Sequence, residues 1–406
     1  MESIKKLYKI GNGPSSSHTM APKKAAVIFR DKNPEAYSFK AHLYGSLALT
    51  GVGHLTDVAI KNAFDNQCEI VWHFNEKLPL HTNGMLFEAF DKNSKLINSW
   101  EVYSVGGGEL MDIENKVKPQ HIYPHTNMAD ILHHLEDFGG TLWEYAFRND
   151  DTDLTDYLKE VWVAMKKSIN RGLNTEGTLP GGLKLLRKAY SYYFKARMQN
   201  QFVQNDSFIF AYALAVSEEN AAGNIVVTAP TCGSSGILPS VLYFFHNEKG
   251  VKEDAIIRAL ATAGLVGNIV KQNASISGAE VGCQGEVGVA SAMAAAAATQ
   301  LAGGTIYQIE YAASSALEHH LGMTCDPIAG LVQIPCIERN AFGAQRAIDS
   351  ALYAINSDGR HYVMFDQVVE AMKQTGKDIP SLYKETALGG LAKVFSDRNL
   401  NEKKSP

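Results

Sequence analysis

The spacing of hydrophobic and polar positions changes twice along the 406 residues. In the first 145 or so, short runs rich in β-branched and aromatic residues alternate with polar breaks. AHLYGSLAL (41–49), CEIVWHF (68–74) and SWEVYSVGG (99–107) read as strands. MAPKKAAVIFRD (20–31) has helical spacing instead, with Lys23, Lys24 and Arg30 on its polar face. Residues 150–200 are charged and helical, and DLTDYLKEVWVAMKKSINRGL carries apolar groups at helical spacing until GLNTEGTLPGG (172–182) breaks it. From about 205 to 357 the polar face disappears. Runs of Ala, Val, Ile, Leu, Met and Ser alternate with Gly-rich breaks, and VASAMAAAAATQLAGG (289–304) is small-residued on every side. Alanine favours helix, and a helix with no polar face belongs inside a protein. FDQVVEAMKQTG reads as one more helix and SDRNLNEKKSP as a polar, frayed tail. The pattern predicts an α+β chain with a mixed α/β front and a compact, largely buried all-α back.

Composition narrows the classes of function. Apolar residues make up 45% and charged residues 20%, ordinary for a globular chain with a sizeable core. Lys and Arg total 38 against 43 Asp and Glu, so the net charge of −5 argues against nucleic acid or an anionic membrane surface as a partner. No window has the roughly 18 unbroken apolar residues of a membrane span. MESIKKLYKI lacks an apolar core, and we read no signal peptide there. Five cysteines, Cys68, Cys232, Cys283, Cys325 and Cys336, are too few and odd in number for a disulfide framework, which points to the reducing cytoplasm.

Several clusters can carry chemistry. Cys283, Cys325 and Cys336 each stand beside Gly or Pro, where a chain bends and side chains converge. Three thiolates suit zinc completed by His319 or His320, or an iron–sulfur centre; buried thiols that pack as small apolar groups fit the spacing equally well. GNGPSSSHTMAP (11–22) puts Ser15, Ser16, Ser17, His18 and Thr19 ahead of a helix, where hydroxyls and free N–H groups bind a carboxylate or phosphate or simply cap the helix. GSLALTGVGHLTD (45–57) sets His54 on a glycine-flexible loop after a strand, a place for a general base. In KQNASISGAEVGCQGE (271–286), Asn273, Ser275, Ser277, Glu280 and Glu286 crowd around Cys283 and need partners or a ligand.

Taken together, GPSSSHT, YGSLALTG-GH-TD, NTEGTLPGG, NASISGAEVGCQGEVG, EHHLGMTCDP and GLVQIPCIERNA resemble the bacterial iron–sulfur L-serine dehydratases (L-serine ammonia-lyases) in order, from residue 11 to about 391. The resemblance implies a 4Fe–4S cluster held by Cys283, Cys325 and Cys336, with one iron free to bind substrate as a Lewis acid. It implies His54 as the base and the Ser15, Ser16, Ser17, His18 and Thr19 block as substrate-binding groups; Asn273 and Ser275, crowded beside Cys283, are read as substrate-binding as well. The implied reaction converts L-serine to pyruvate and ammonia. The implied organisation is an N-terminal α/β domain (1–147), a helical connector (148–204), a C-terminal all-α cluster domain (205–396) and a polar tail (397–406), in a cytoplasmic homodimer.

The chain departs from the family pattern in three places. No cysteine follows Cys336, so a tail thiol that caps the open iron in some relatives has no counterpart. Cys232 stands in APTCGSSG where the pattern has asparagine, and we read it as an idle buried thiol. Leu55 follows His54 where glycine is frequent. On sequence alone three alternatives stay open: a related hydro-lyase for L-threonine or another hydroxy acid, a non-catalytic amino-acid or redox sensor, and a zinc protein using the three cysteines and His320.

Overall fold

The computed structural model describes residues 1–112 and 120–402. β1 (Ile10–Asn12) stands apart from a five-stranded sheet formed by β2 (Ser38–Tyr44), β3 (Cys68–His73), β4 (Gly84–Phe90), β5 (Leu96–Ser104) and β6 (Leu110–Asp112). The order is β3-β2-β4-β5-β6. β2 and β3 are parallel and the other pairs antiparallel. A parallel neighbour needs a crossover. Here α1 (Ala21–Lys32) precedes β2, and α2 (Ser46–Thr50) and α3 (Thr56–Ala63) make the crossover from β2 to β3. The sheet has its own aromatic core, in which Phe39 stacks on Phe64 at 4.3 Å and Phe29 on Phe87 at 5.8 Å between ring centres.

The strand expected over 41–49 ends at Tyr44. Gly45 turns the chain with φ +56°, a left-handed conformation that glycine adopts freely, and Ser46–Thr50 is helical. A short apolar run reads equally well as strand or helix, so the pattern alone could not separate them. The sheet also gains β4, whose sequence GMLFEAF the hydrophobic pattern did not single out.

The helical body contains α4 (Met128–Phe138), α5 (Leu142–Asn149), α6 (Leu154–Leu173), α7 (Ala189–Ala196), α8 (Gln201–Ala221), α9 (Ile237–Lys249), α10 (Glu253–Asn273), α11 (Gly278–Val281), α12 (Val287–Leu301), α13 (Ile306–Glu318), α14 (Cys336–Ile355), α15 (Phe365–Asp378) and α16 (Gly390–Glu402). The alanine-rich α12 is its axis. Every residue from Val287 to Thr299 is buried, and α9, α10, α13 and α14 pack around it. α16 runs through 397–402, the start of the expected tail; residues 403–406 lie outside the described residues. Among the described residues no helix is long and apolar enough to cross a membrane.

The first residues belong to this body rather than to the sheet. Met1, Ile4, Leu7 and Tyr8 are buried in the helical core, and the Tyr8 hydroxyl donates to the Leu260 carbonyl at 2.9 Å. β1 then pairs antiparallel with β7 (Ile225–Val227). α4 and α5 contribute Ile131, Leu135, Leu142 and Tyr145 to the same helical core. The chain therefore passes from the helical body to the sheet just after β1, and the segment at that crossing is SSSHT.

Candidate active site

Residues 16–20 form one wide π-type helical turn that runs directly into α1. Such turns are rare and frequent at functional sites. Its start is tied by Ser15, whose Oγ accepts from the His18 N–H at 3.1 Å. Ser17 Oγ lies 2.8 Å from His18 Nδ1, and His18 Nε2 lies 3.0 Å from Ser46 Oγ on α2. Two hydroxyls then lace this turn to the next loop. Thr19 Oγ1 donates to the His54 carbonyl at 2.7 Å, and Thr56 Oγ1 donates to the His18 carbonyl at 2.6 Å. The two motifs, separated in sequence, are one hydrogen-bonded unit, with the His18 and His54 rings edge to face at 4.6 Å.

The tautomer of His54 follows from a count of protons. Thr50 Oγ1 donates its one proton to the Ser46 carbonyl at 3.0 Å. Its 3.1 Å contact with His54 Nδ1 must then be a bond it accepts. Nδ1 carries the ring proton, and Nε2 keeps a lone pair. The ring is 1% exposed, and burial pushes its pKa down to about 4, so it is neutral around pH 7. A neutral imidazole with a free Nε2 is what a general base requires.

Across a narrow gap lie the thiols. Cys283 opens a 3-10 turn ahead of α12, Cys336 is the first residue of α14, and Cys325 lies on the loop between α13 and α14. A helix N-terminus carries partial positive charge, which favours the thiolate of Cys336. The positive charge of Arg339, one turn into α14, acts on both Cys283 and Cys336. Burial pushes the Cys336 thiol up; for Cys325 the hydrogen bond to Cys283 is the largest cause, followed by burial. All five cysteines are free. Cys283, Cys325 and Cys336 line one enclosed cavity of about 20 Å³ together with Ser15, His54 and Glu385. The His54 loop and the thiol loop touch directly: Gly53 lies so near the Gly330 carbonyl that a Cβ there would overlap it.

Of the substrate-binding residues expected from sequence, Ser15 lines the cavity, and Ser16, Ser17, His18 and Thr19 are buried in the turn behind it. Asn273 and Ser275 are not brought to the lining. Asn273 Nδ2 donates to the carbonyls of Thr126 and Ile269, at the end of α10. Ser275 Oγ donates to Glu280, which also faces His81. Their polar groups thus have structural partners, because α10 ends before the chain turns toward Cys283. His320 likewise is not among the lining residues, and its Nδ1 meets the Ala316 carbonyl at 2.7 Å. Cys232 is buried with its sulfur 3.9 Å from that of Met20.

Two carboxyls complete the cavity. Glu286 accepts from Thr231 Oγ1 at 2.7 Å and lies 3.9 Å and 4.0 Å from the sulfurs of Cys283 and Cys325. Glu385 approaches from the segment between α15 and α16, with one oxygen 3.5 Å from His18 Nδ1. Burial raises the pKa of both, with the charges of Glu286 and Cys283 adding to the rise at Glu385. Sequence reading noted Glu286 beside Cys283 but passed over Glu385. KETALGG carries turn residues and no chemical motif, so nothing local signalled it.

Family models for the serine dehydratase beta chain and alpha chain match residues 3–62 and 59–392 in turn. The chain belongs to the serine dehydratase family. The two models meet inside α3, so in this serine dehydratase the SSSHT turn and His54 fall in the beta-type part and all three site thiols in the alpha-type part. An L-serine dehydratase of Streptomyces coelicolor is 40% identical, covering 96% of this chain and 98% of the relative. That of Haemophilus influenzae and L-serine dehydratase 1 of Escherichia coli are each 39% identical, covering 97% of this chain and 99% of the relative.

The buried imidazole gives a first prediction, on stability. An unfolded histidine titrates near 6.5, whereas His54 in the folded chain does so at about 4. Between these values the unfolded chain binds a proton that the folded chain does not. Stability from His54 is therefore whole above about pH 6.5 and is lost as pH falls toward 4, by about 3 kcal/mol. His18 acts in the same direction. Glu286 and Glu385, held above their usual range, act in the opposite one, so the His54 share is read as a difference. Thermal melts of cluster-free wild type and His54→Asn between pH 7.5 and 4.5 should show the steeper acid loss in wild type. Parallel curves would contradict the burial argument.

Proposed function

We propose that this chain dehydrates and deaminates L-serine to pyruvate and ammonia, with a 4Fe–4S cluster held by Cys283, Cys325 and Cys336. The observation that carries the reading is one enclosed cavity lined by three free thiols and a buried, neutral imidazole. Three sulfur donors without a fourth are a donor set that fits a cluster with one iron lacking protein sulfur. When bound, such a cluster supplies a Lewis acid for the substrate's hydroxyl and carboxylate oxygens. The remaining work falls to the chain. His54 Nε2 takes the Cα proton. Ser15, the one residue of the SSSHT block that lines the cavity, holds the carboxylate. The Thr50 bond keeps the His54 ring in its tautomer and orientation, and the enclosed lining limits bulk water. Loss of the Cα proton and the β-hydroxyl amounts to one water. The aminoacrylate left behind tautomerises to an imine, whose hydrolysis gives pyruvate and ammonia.

The relatives' names favour L-serine over the threonine and other hydroxy-acid alternatives. His320, the fourth ligand of the zinc reading, is not among the residues that line the cavity, and the family match favours the serine dehydratase reading over it. A mere sensor has no use for a base, so a buried neutral His54 beside the thiols weighs against that reading. Five free thiols suit a reducing compartment, and the reading includes a cytoplasmic homodimer.

Anaerobic purification with iron, sulfide and absorbance measured together, followed by a pyruvate assay on L-serine, tests the proposal. Activity should fall in air and return with Fe(II) and a thiol. Colourless, iron-free protein that is fully active in air would end it.

A further inference from the structure

Neither the mechanism above nor any motif accounts for Glu385. We propose that its carboxylate is the subsite for the substrate's α-ammonium group, and so the residue that selects amino acids over hydroxy acids lacking nitrogen. The inference rests on the reading of the site as a serine dehydratase. Its support is geometric.

The segment is built to deliver this side chain. The Cys325 N–H donates to the Tyr383 carbonyl at 2.7 Å, and the Glu385 N–H donates to the Cys325 carbonyl at 2.8 Å. Ser46 Oγ, the same hydroxyl that meets His18, donates to the Glu385 carbonyl at 3.2 Å. Between these anchors Glu385 adopts φ +58°, in the left-handed region that a residue with a side chain avoids. Strain of this kind persists where the surroundings over-determine it, and such places cluster at functional sites. The result is a carboxyl group that is 10% exposed and has a ligand atom within 4.8 Å of one on each of His18 and His54.

The choice between the two carboxyls is also settled by contacts. Glu286 is engaged by Thr231 and lies against the sulfurs of Cys283 and Cys325. The Glu385 side chain meets His18 Nδ1 only at 3.5 Å, too long for a good hydrogen bond. The cavity lining contains no Lys or Arg, so no lining cation competes with an incoming ammonium for Glu385. The α-ammonium is attached to the Cα whose proton His54 removes, and Glu385 stands on the His54 side. A charge-assisted hydrogen bond there would fix the amine, and with it the direction of the Cα–H bond.

The test compares matched ligands with and without nitrogen on anaerobically loaded protein. Wild type should bind L-alanine at least tenfold more tightly than propionate by calorimetry. In Glu385→Gln, the KM for L-serine and the Kd for L-alanine should each rise at least tenfold. The inhibition constant of 3-hydroxypropionate should stay within threefold, with iron, sulfide and absorbance unchanged. Glu385→Asp should recover part of the loss. Equal affinity of wild type for L-alanine and propionate would overturn the proposal without any variant. So would amine and amine-free ligands weakening together in either variant, as a structural role predicts. Failure of the serine dehydratase reading shows separately, as loaded wild type that makes no pyruvate from L-serine.

Discussion

His54→Asn should lower kcat on L-serine about a thousandfold or more while leaving the KM within a few fold and the iron and sulfide content intact. General bases contribute roughly 10²–10⁴ in rate. His54 is the one imidazole among the described residues that line the cavity. Asparagine is chosen because its amide can keep the bond to Thr50 Oγ1 that Nδ1 now makes, so the loop carrying Gly53 against Gly330 is not emptied of its polar contact. A loss confined to kcat identifies a group that acts in the transition state rather than in binding. L-serine deuterated at Cα separates proton removal from later steps: wild type should show a primary isotope effect whenever that step limits the rate. More than a tenth of wild-type kcat in the variant would remove His54 from the role of base.

The second large effect concerns the thiols. Cys325→Ser should abolish turnover and strip most of the iron, whereas Cys232→Ser should retain both. The contrast is sharp because both cysteines are buried in the same helical core and both substitutions put a hydroxyl in place of a thiol. Only Cys325 lines the cavity with Cys283 and Cys336; Cys232 turns its sulfur to Met20. Hard alkoxide or hydroxyl oxygen is a poor replacement for a soft thiolate toward iron. Iron, sulfide and visible absorbance, measured beside pyruvate formation, separate loss of the cluster from loss of the fold. Equal iron retention in the two variants would argue that Cys325 is not a ligand.

Much of the molecule can be read from its residues, and the failures are specific. The polar face vanishes after about residue 205, and the helix around 289–304 is correctly expected to be buried because alanine both favours helix and leaves no face for water. SLALT was misread because its three apolar residues fit either period, and Gly45 decided the matter through backbone conformation rather than hydrophobicity. Asn273 and Ser275 were drawn to the site by nearness in sequence to Cys283. The end of α10 instead spends Asn273 on the carbonyls of Thr126 and Ile269.

By itself the sequence determined the kinds of groups available: three soft donors at chain bends, a histidine on a glycine-flanked loop, and a hydroxyl-rich turn. Each type is fixed by covalent chemistry and needs no fold to be recognised. Which of them share a cavity was decided only by tertiary structure. Residues 15, 54, 283, 325, 336 and 385 meet because β1 pairs with β7 and the segment after α15 pairs back on Cys325. Glu385 shows why: its neighbours are long-range, and a local pattern carries no record of contacts made across hundreds of residues.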